Sequence, residues 1–198
     1  MSQKLNKPLY KKFWFWIIIF LIIGGIVGGM RNTNKESSKT STKNSNIEVK
    51  KDTRKITYEK FSEVKIGTTY DDIKKILGKG KEATSSEISG IKTIVYSWRN
   101  ADGSNVDVTV QNGKVVGKGQ AGLSLKSSNV NMDKYNKIKT GMNYNSVKQI
   151  LGQGQLISTS SMQGISTSIY SWINSDGSNI TVTFQNGKFA SKTQFELK

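Results

Sequence analysis

The sequence predicts an α+β protein: two tandem modules, each a helix-loop-helix packed on a four-stranded antiparallel β-meander, after an N-terminal transmembrane helix. Three observations predict it. One stretch appears twice, as YSWRNADGSNVDVTVQNGK at 96–114 and YSWINSDGSNITVTFQNGK at 170–188. The offset of 74 holds without a gap from Tyr58/Met132 to Leu123/Leu197, and thirty of those 66 paired positions are identical, so the two stretches are copies of one module. Within each copy the apolar spacing changes from helical to a period of two. Ahead of both copies lies an uncharged apolar run of 18 residues.

Residues 1–12 form a basic head with Lys4, Lys7, Lys11 and Lys12. Residues 13–30, FWFWIIIFLIIGGIVGGM, follow it and are closed by Arg31. A run of this length suffices for a bilayer span. Phe13, Trp14 and Trp16 stand where aromatic rings favour the membrane interface. Lysines ahead of the span predict a cytoplasmic N-terminus and extracellular modules, in a single-pass protein of the cell membrane. Secretion after signal cleavage is the alternative, but no A-x-A site follows the run. With no cysteine, lipid acylation at a cysteine is excluded.

Residues 31–57 are rich in Ser, Thr, Asn and Lys with little apolar content, which predicts a disordered basic stalk. As a flexible coil its reach is on the order of 30 Å. Of the net charge of +16, +9 lies before residue 58, so the basic character belongs to this region rather than to the modules. Anionic wall polymer or lipid is therefore a candidate ligand of the stalk, and nucleic acid is not expected.

Module 1 (58–123) opens with Tyr58, Phe61 and Val64, a helical stripe broken by Gly67. Tyr70, Ile73, Ile76 and Leu77 form a second stripe, stopped by Gly78 at a C-cap position. Strands follow near 81–88, 91–99, 104–111 and 114–121, with Asn112-Gly113 as a type I′ hairpin signal and Asp102-Gly103 marking the hairpin before it. After a connector at 124–131, module 2 (132–198) repeats the plan with Tyr135, Ile138, Gly141, Tyr144, Val147, Ile150, Leu151 and Gly152, and with turns at Asp176-Gly177 and Asn186-Gly187. One sheet face must carry the helices, leaving the other for the second module or for a partner.

KYNKIKTGMNYNSVKQILGQGQ and ITVTFQNGKFASKTQFEL closely resemble the second repeat of the β-lactamase inhibitory protein family. KFSEVKIGTTYDDIKKILGKGK and VDVTVQNGKVVGKGQAGL match its first repeat more loosely. The chain also resembles uncharacterised membrane-anchored proteins of Gram-positive bacteria that carry this domain. The resemblance, over about 140 residues, implies two modules whose sheets join into one concave surface that binds another protein. The family pattern includes a disulfide in each module and an acidic residue just after a hairpin glycine. This chain has no cysteine and carries Ser104 at that hairpin position.

No histidine or cysteine is present, which removes the commonest general base, the usual zinc ligands and a thiol nucleophile. Asp71 and Asp72 read as first-turn helix charge, since their counterparts are Asn145 and Ser146. Gly78-Lys79-Gly80 and Gly152-Gln153-Gly154 follow a helix instead of opening one, so they do not read as a phosphate loop. No catalytic, cofactor or metal residue is expected, and the chain is not expected to be an enzyme. The partner-binding candidates are Tyr96, Trp98, Asp102, Tyr170, Trp172 and Asp176. The two Tyr–Trp pairs share a sheet face, either as core or as anchors on an open surface. Asp102 and Asp176 are either turn residues or contacts. Lys118, Gln120, Lys192 and Gln194 recur on the last strand, either flanking such a surface or on a solvated face. The expected role is a non-enzymatic protein-binding module of the bacterial envelope, whose partner is an envelope or secreted protein. An envelope-structural or polyanion-binding role is the alternative, and β-lactamase or protease inhibition ranks behind both.

Overall fold

The computed structural model describes residues 55–123 and 127–198. The expected head and anchor, and all but the last residues of the stalk, lie outside them. Among the described residues no helix is long and apolar enough to cross a membrane.

Module 1 contains α1 (Tyr58–Glu63), α2 (Tyr70–Leu77), β1 (Lys81–Ile88), β2 (Ile91–Arg99), β3 (Asn105–Gln111) and β4 (Lys114–Ala121). Module 2 repeats them as α3 (Met132–Lys137), α4 (Tyr144–Leu151), β5 (Gln155–Met162), β6 (Ile165–Ile173), β7 (Asn179–Gln185) and β8 (Lys188–Phe195). Each helix has a side-chain N-cap. Thr69 accepts from the Asp72 backbone N–H while its hydroxyl donates to the Asp72 carboxylate, a reciprocal cap that assigns the acidic pair a helix-starting role. Gly78 and Gly152 end α2 and α4 with positive φ.

All eight strands form one antiparallel sheet in the order β1 to β8. The second module therefore does not stack on the face left free by the helices. It extends the sheet edge to edge, through β4 and β5, in the register Gly117↔Ser160, Lys118↔Thr159 and Gly119↔Ser158. The type I′ turns form as expected, with φ of 48° at both Asn112 and Asn186 and positive φ at the following glycines. Register shifts recur at matching places in the two copies, between Glu82/Thr84 and Leu156/Ser158, and between Thr109/Val110 and Thr183/Phe184. Such bulges bend a strand and deepen its twist.

Two cores result, both between the helices and one face of the sheet. Phe61, Val64, Ile73 and Leu77 pack against Trp98, Val106, Val108 and Val110 in module 1. Val147 and Leu151 pack against Trp172, Ile180, Val182 and Phe184 in module 2. Ile56 is 4 % exposed and Val130 3 % exposed, so residues assigned by sequence to the stalk and the connector seal these cores. They are 74 positions apart, like the rest of the repeat.

Candidate binding surface

The alternation of each strand divides the sheet residues between two faces. Tyr96 and Trp98, paired with Val108 and Val106, lie on the helix side. Tyr170 and Trp172, paired with Val182 and Ile180, lie on the same side of module 2. Trp172 is fully buried, and Trp98 nearly so. Each indole donates its Nε1–H to the carbonyl of a helix-ending glycine, Trp98 to Gly78 at 3.1 Å and Trp172 to Gly152 at 2.9 Å. Gly80 lies against the Trp98 ring, where a Cβ would stand 2.7 Å from it, and Gly154 does the same for Trp172. The Gly-x-Gly motif is thus a tryptophan cradle: the first glycine turns the chain and accepts the indole proton, and the second makes room for the ring. Tyr96 and Tyr170 are half-buried and stack on Tyr70 and Tyr144, with centroids 3.8 and 4.2 Å apart. Burial holds the Tyr96 and Tyr170 hydroxyls above the usual tyrosine range. All four aromatic candidates therefore sit on the helix side, and the two tryptophans offer a partner almost no surface.

Asp102 and Asp176 stand in the β2–β3 and β6–β7 turns, on the exposed ends of a polar clasp. The Asp102 carboxylate accepts from both the N–H and the hydroxyl of Ser104, and these bonds hold its pKa below the usual carboxylate value. Ser104 in turn accepts from the Asn100 amide. Asn100 grips Ile56 by its backbone, accepting from its N–H at 2.9 Å and donating to its carbonyl at 2.8 Å. Asp176, Ser178, Asn174 and Val130 repeat the same arrangement. Beside this clasp in module 1 lies a cavity of about 390 Å³ lined by Lys55, Tyr58, Asn100, Asp102 and Leu123. The structure brings Asp102 to that cavity and separates it from the aromatic candidates by placing it at the end of the sheet.

Lys118 and Gln120 do not lie on a solvated face; they too point to the helix side and are buried. The Lys118 ammonium donates to the Phe61 carbonyl at 2.6 Å and sits 4.2 Å from the centre of the Phe61 ring. It neutralises the carbonyls at the end of α1, as a cation at a helix C-terminus does. Burial, with a smaller contribution from Lys65, pulls its pKa down to about 8. Lys192 copies the arrangement with Tyr135 and Ile138, in a more exposed setting.

The face that no described helix covers carries the intervening residues. In register across it run Val95, Thr109, Gly117, Ser160, Thr167 and Gln185. A neighbouring row runs Ser97, Asp107, Gly119, Ser158, Ile169 and Thr183. These small hydroxyl and glycine positions escaped the sequence reading, which looked for large aromatics. Their signal was the alternation itself: Ser97 and Ser171 sit between the Tyr and Trp of each copy. Among the described residues no cluster of three potential metal-ligating side chains occurs.

The described residues thus form a two-module fold, a continuous eight-stranded meander with its helices on one face. The sequence profile of the β-lactamase inhibitor (BLIP) family matches residues 57–162 and 131–198, together 57–198 of the 198. The chain belongs to that family. Among solved structures it is similar to a candidate β-lactamase inhibitor protein from Streptococcus mutans, at 20 % identity and a TM-score of 0.62, over 70 % of this chain and 94 % of that one. That likeness is one of fold. No curated protein matches the chain.

Proposed function

We propose that this chain is a non-enzymatic, membrane-anchored, extracellular protein-binding module of the bacterial cell envelope, and that the uncovered sheet face is where the partner sits. The observation that carries the reading is the division of the sheet. Every large aromatic candidate is taken up on the helix side, while the opposite face of the sheet carries mainly Ser, Thr and Gly with Val95, Asp107, Ile169 and Gln185 among them. Thr109 and Ser171 on that surface are 6 % and 8 % exposed although no described helix lies over them. The bulges repeated in both copies bend the strands and deepen their twist, which favours a curved sheet as the binding surface. Membership of a family of protein inhibitors supports a protein as the partner. The anchor, cytoplasmic N-terminus and envelope location rest on the apolar run at 13–30 and its flanking lysines. β-Lactamase inhibition stays behind this reading, because Ser104 is tied into the turn clasp and supplies no acid.

The test is crosslinking from intact cells with full-length protein, a form lacking residues 58–198, and a full-length variant with Thr167→Arg and Thr183→Arg on the bare face. A discrete protein captured by the first alone supports the proposal. The concentration of positive charge before residue 58 favours a second reading, in which the stalk binds an anionic wall polymer or lipid. Recovery of the same polymer or lipid by all three forms would establish it and overturn the first.

A further inference from the structure

The joint between the modules includes residues that the outer edges of the sheet do not share. At the joint, β4 offers Gly117, Lys118 and Gly119, and β5 answers with Ser158, Thr159 and Ser160. Leu156 of β5 packs on the core of module 1. Its N–H donates to the Tyr58 hydroxyl at 2.8 Å, and its carbonyl accepts from the Gln120 amide at 3.3 Å. The repeat places an equivalent of each partner on a free edge. Ser191 and Thr193 on β8 stand for the two glycines, and Met132 at the start of α3 stands for Tyr58; on β1, Glu82 stands for Leu156. Lys81 and Glu87 likewise replace Gln155 and Ser161, so the equivalents of an uncharged β5 edge carry three charges. All eight residues of β1 are exposed.

Without these differences, β8 of one copy would present to β1 of another the same seam that β4 presents to β5. That contact is head-to-tail, so it would add copy to copy into rings or filaments. A second copy docking on β8 would instead press the Glu82 carboxylate against the apolar edge of the module 2 core, without a tyrosine hydroxyl to receive its backbone. We propose that Tyr58, Gly117, Gly119, Gln120 and Leu156 form a pairing code for joining modules, and that its loss on β1 and β8 refuses a second copy of this chain. Gln194 on β8 keeps the glutamine of that code, accepting from the Leu197 N–H as Gln120 does from Leu123. The residues that differ are thus the ones that exclude.

The test restores the code at the outer edges of the full chain with Glu82→Leu, Met132→Tyr, Ser191→Gly and Thr193→Gly, in non-ionic detergent. Light scattering is expected to give a mass that climbs with concentration well above that of the unaltered chain. A variant with unchanged circular dichroism and the unaltered chain's mass at every concentration would overturn the proposal. Should that variant misfold, Leu156→Glu writes an outer-edge residue into the joint. Amide exchange at Gly119 and Ser158 is then expected to accelerate, and retained protection there would overturn the proposal equally.

Discussion

The hydroxyl of Tyr58, the first residue of α1, accepts the backbone N–H of Leu156 at 2.8 Å, tying the start of one module to the first strand of the next. The bond crosses 98 positions of chain and sits beside the Leu156 side chain as it packs on the module 1 core. Tyr58→Phe should cost about 1 kcal/mol, the net worth of such a bond with a partly buried N–H left unmatched. Urea unfolding should show a lower midpoint with an unchanged slope. A slope that falls instead would mean that the modules have begun to unfold separately.

The tryptophan cradle makes a sharper prediction. Gly80→Ala places a methyl group 2.7 Å from the Trp98 ring, which is held in place by its bond to Gly78. Overpacking of this kind costs about 1–3 kcal/mol. Lys79→Ala, at the exposed position between the two glycines, should stay within about 0.5 kcal/mol of the parent. Thermal melts of the two variants side by side check the pair, with near-ultraviolet circular dichroism reporting the indole.

Lys118 gives the fold a pH dependence. Its pKa is about 8 in the folded chain against 10.5 ordinarily, so between those values the unfolded chain holds the extra proton. Stability contributed by Lys118 therefore rises with pH from about 8 toward 10.5 and is level below 8, where both states hold the proton. Lys118→Met removes this slope, so the stability difference between parent and variant should shift toward the parent from about pH 8 upward. Urea titrations should be read below roughly pH 10, where tyrosines begin to ionise. Parallel curves for parent and variant would contradict the buried, depressed amine.

The clasp predicts where the first residues of each core are held. Asn100→Ala removes both bonds to the Ile56 backbone and one to Ser104. The expected loss is about 1–3 kcal/mol, with faster amide exchange at Ile56 and none at Val130, which Asn174 holds. Faster exchange at both positions would show that the clasps act through the whole sheet.

Much of the architecture was legible because the repeat and the period change both follow from local chemistry. Gly78, Asn112 and Gly113 had only one kind of backbone to adopt, and the sequence predicts their caps and turns correctly. Ile56 and Val130 were missed because each stands alone in polar surroundings, so no pattern marks it as core. The pattern places Lys118 at the flank of a binding surface or on a solvated face, because a lysine's charge outweighs its position in any one-dimensional pattern. Only the neighbouring α1 carbonyls and the Phe61 ring explain its burial. The Gly-x-Gly pair follows a helix and so does not read as a phosphate loop, but the ring it accommodates lies 20 positions on, at Trp98.

By itself the sequence determined the two-module plan, the helix-then-meander order, the turn types and the lack of histidine and cysteine chemistry. These depend on residues near one another in the chain, or on a repeat visible in one dimension. Tertiary structure decided which sheet face the helices cover, and hence that Tyr96, Trp98, Tyr170 and Trp172 face inward while mainly Ser, Thr and Gly line the other side. It also decided that the modules meet edge to edge. The alternation of a strand defines two faces but assigns neither to the interior, and that choice falls to the helices, whose apolar stripes can be buried against only one of them.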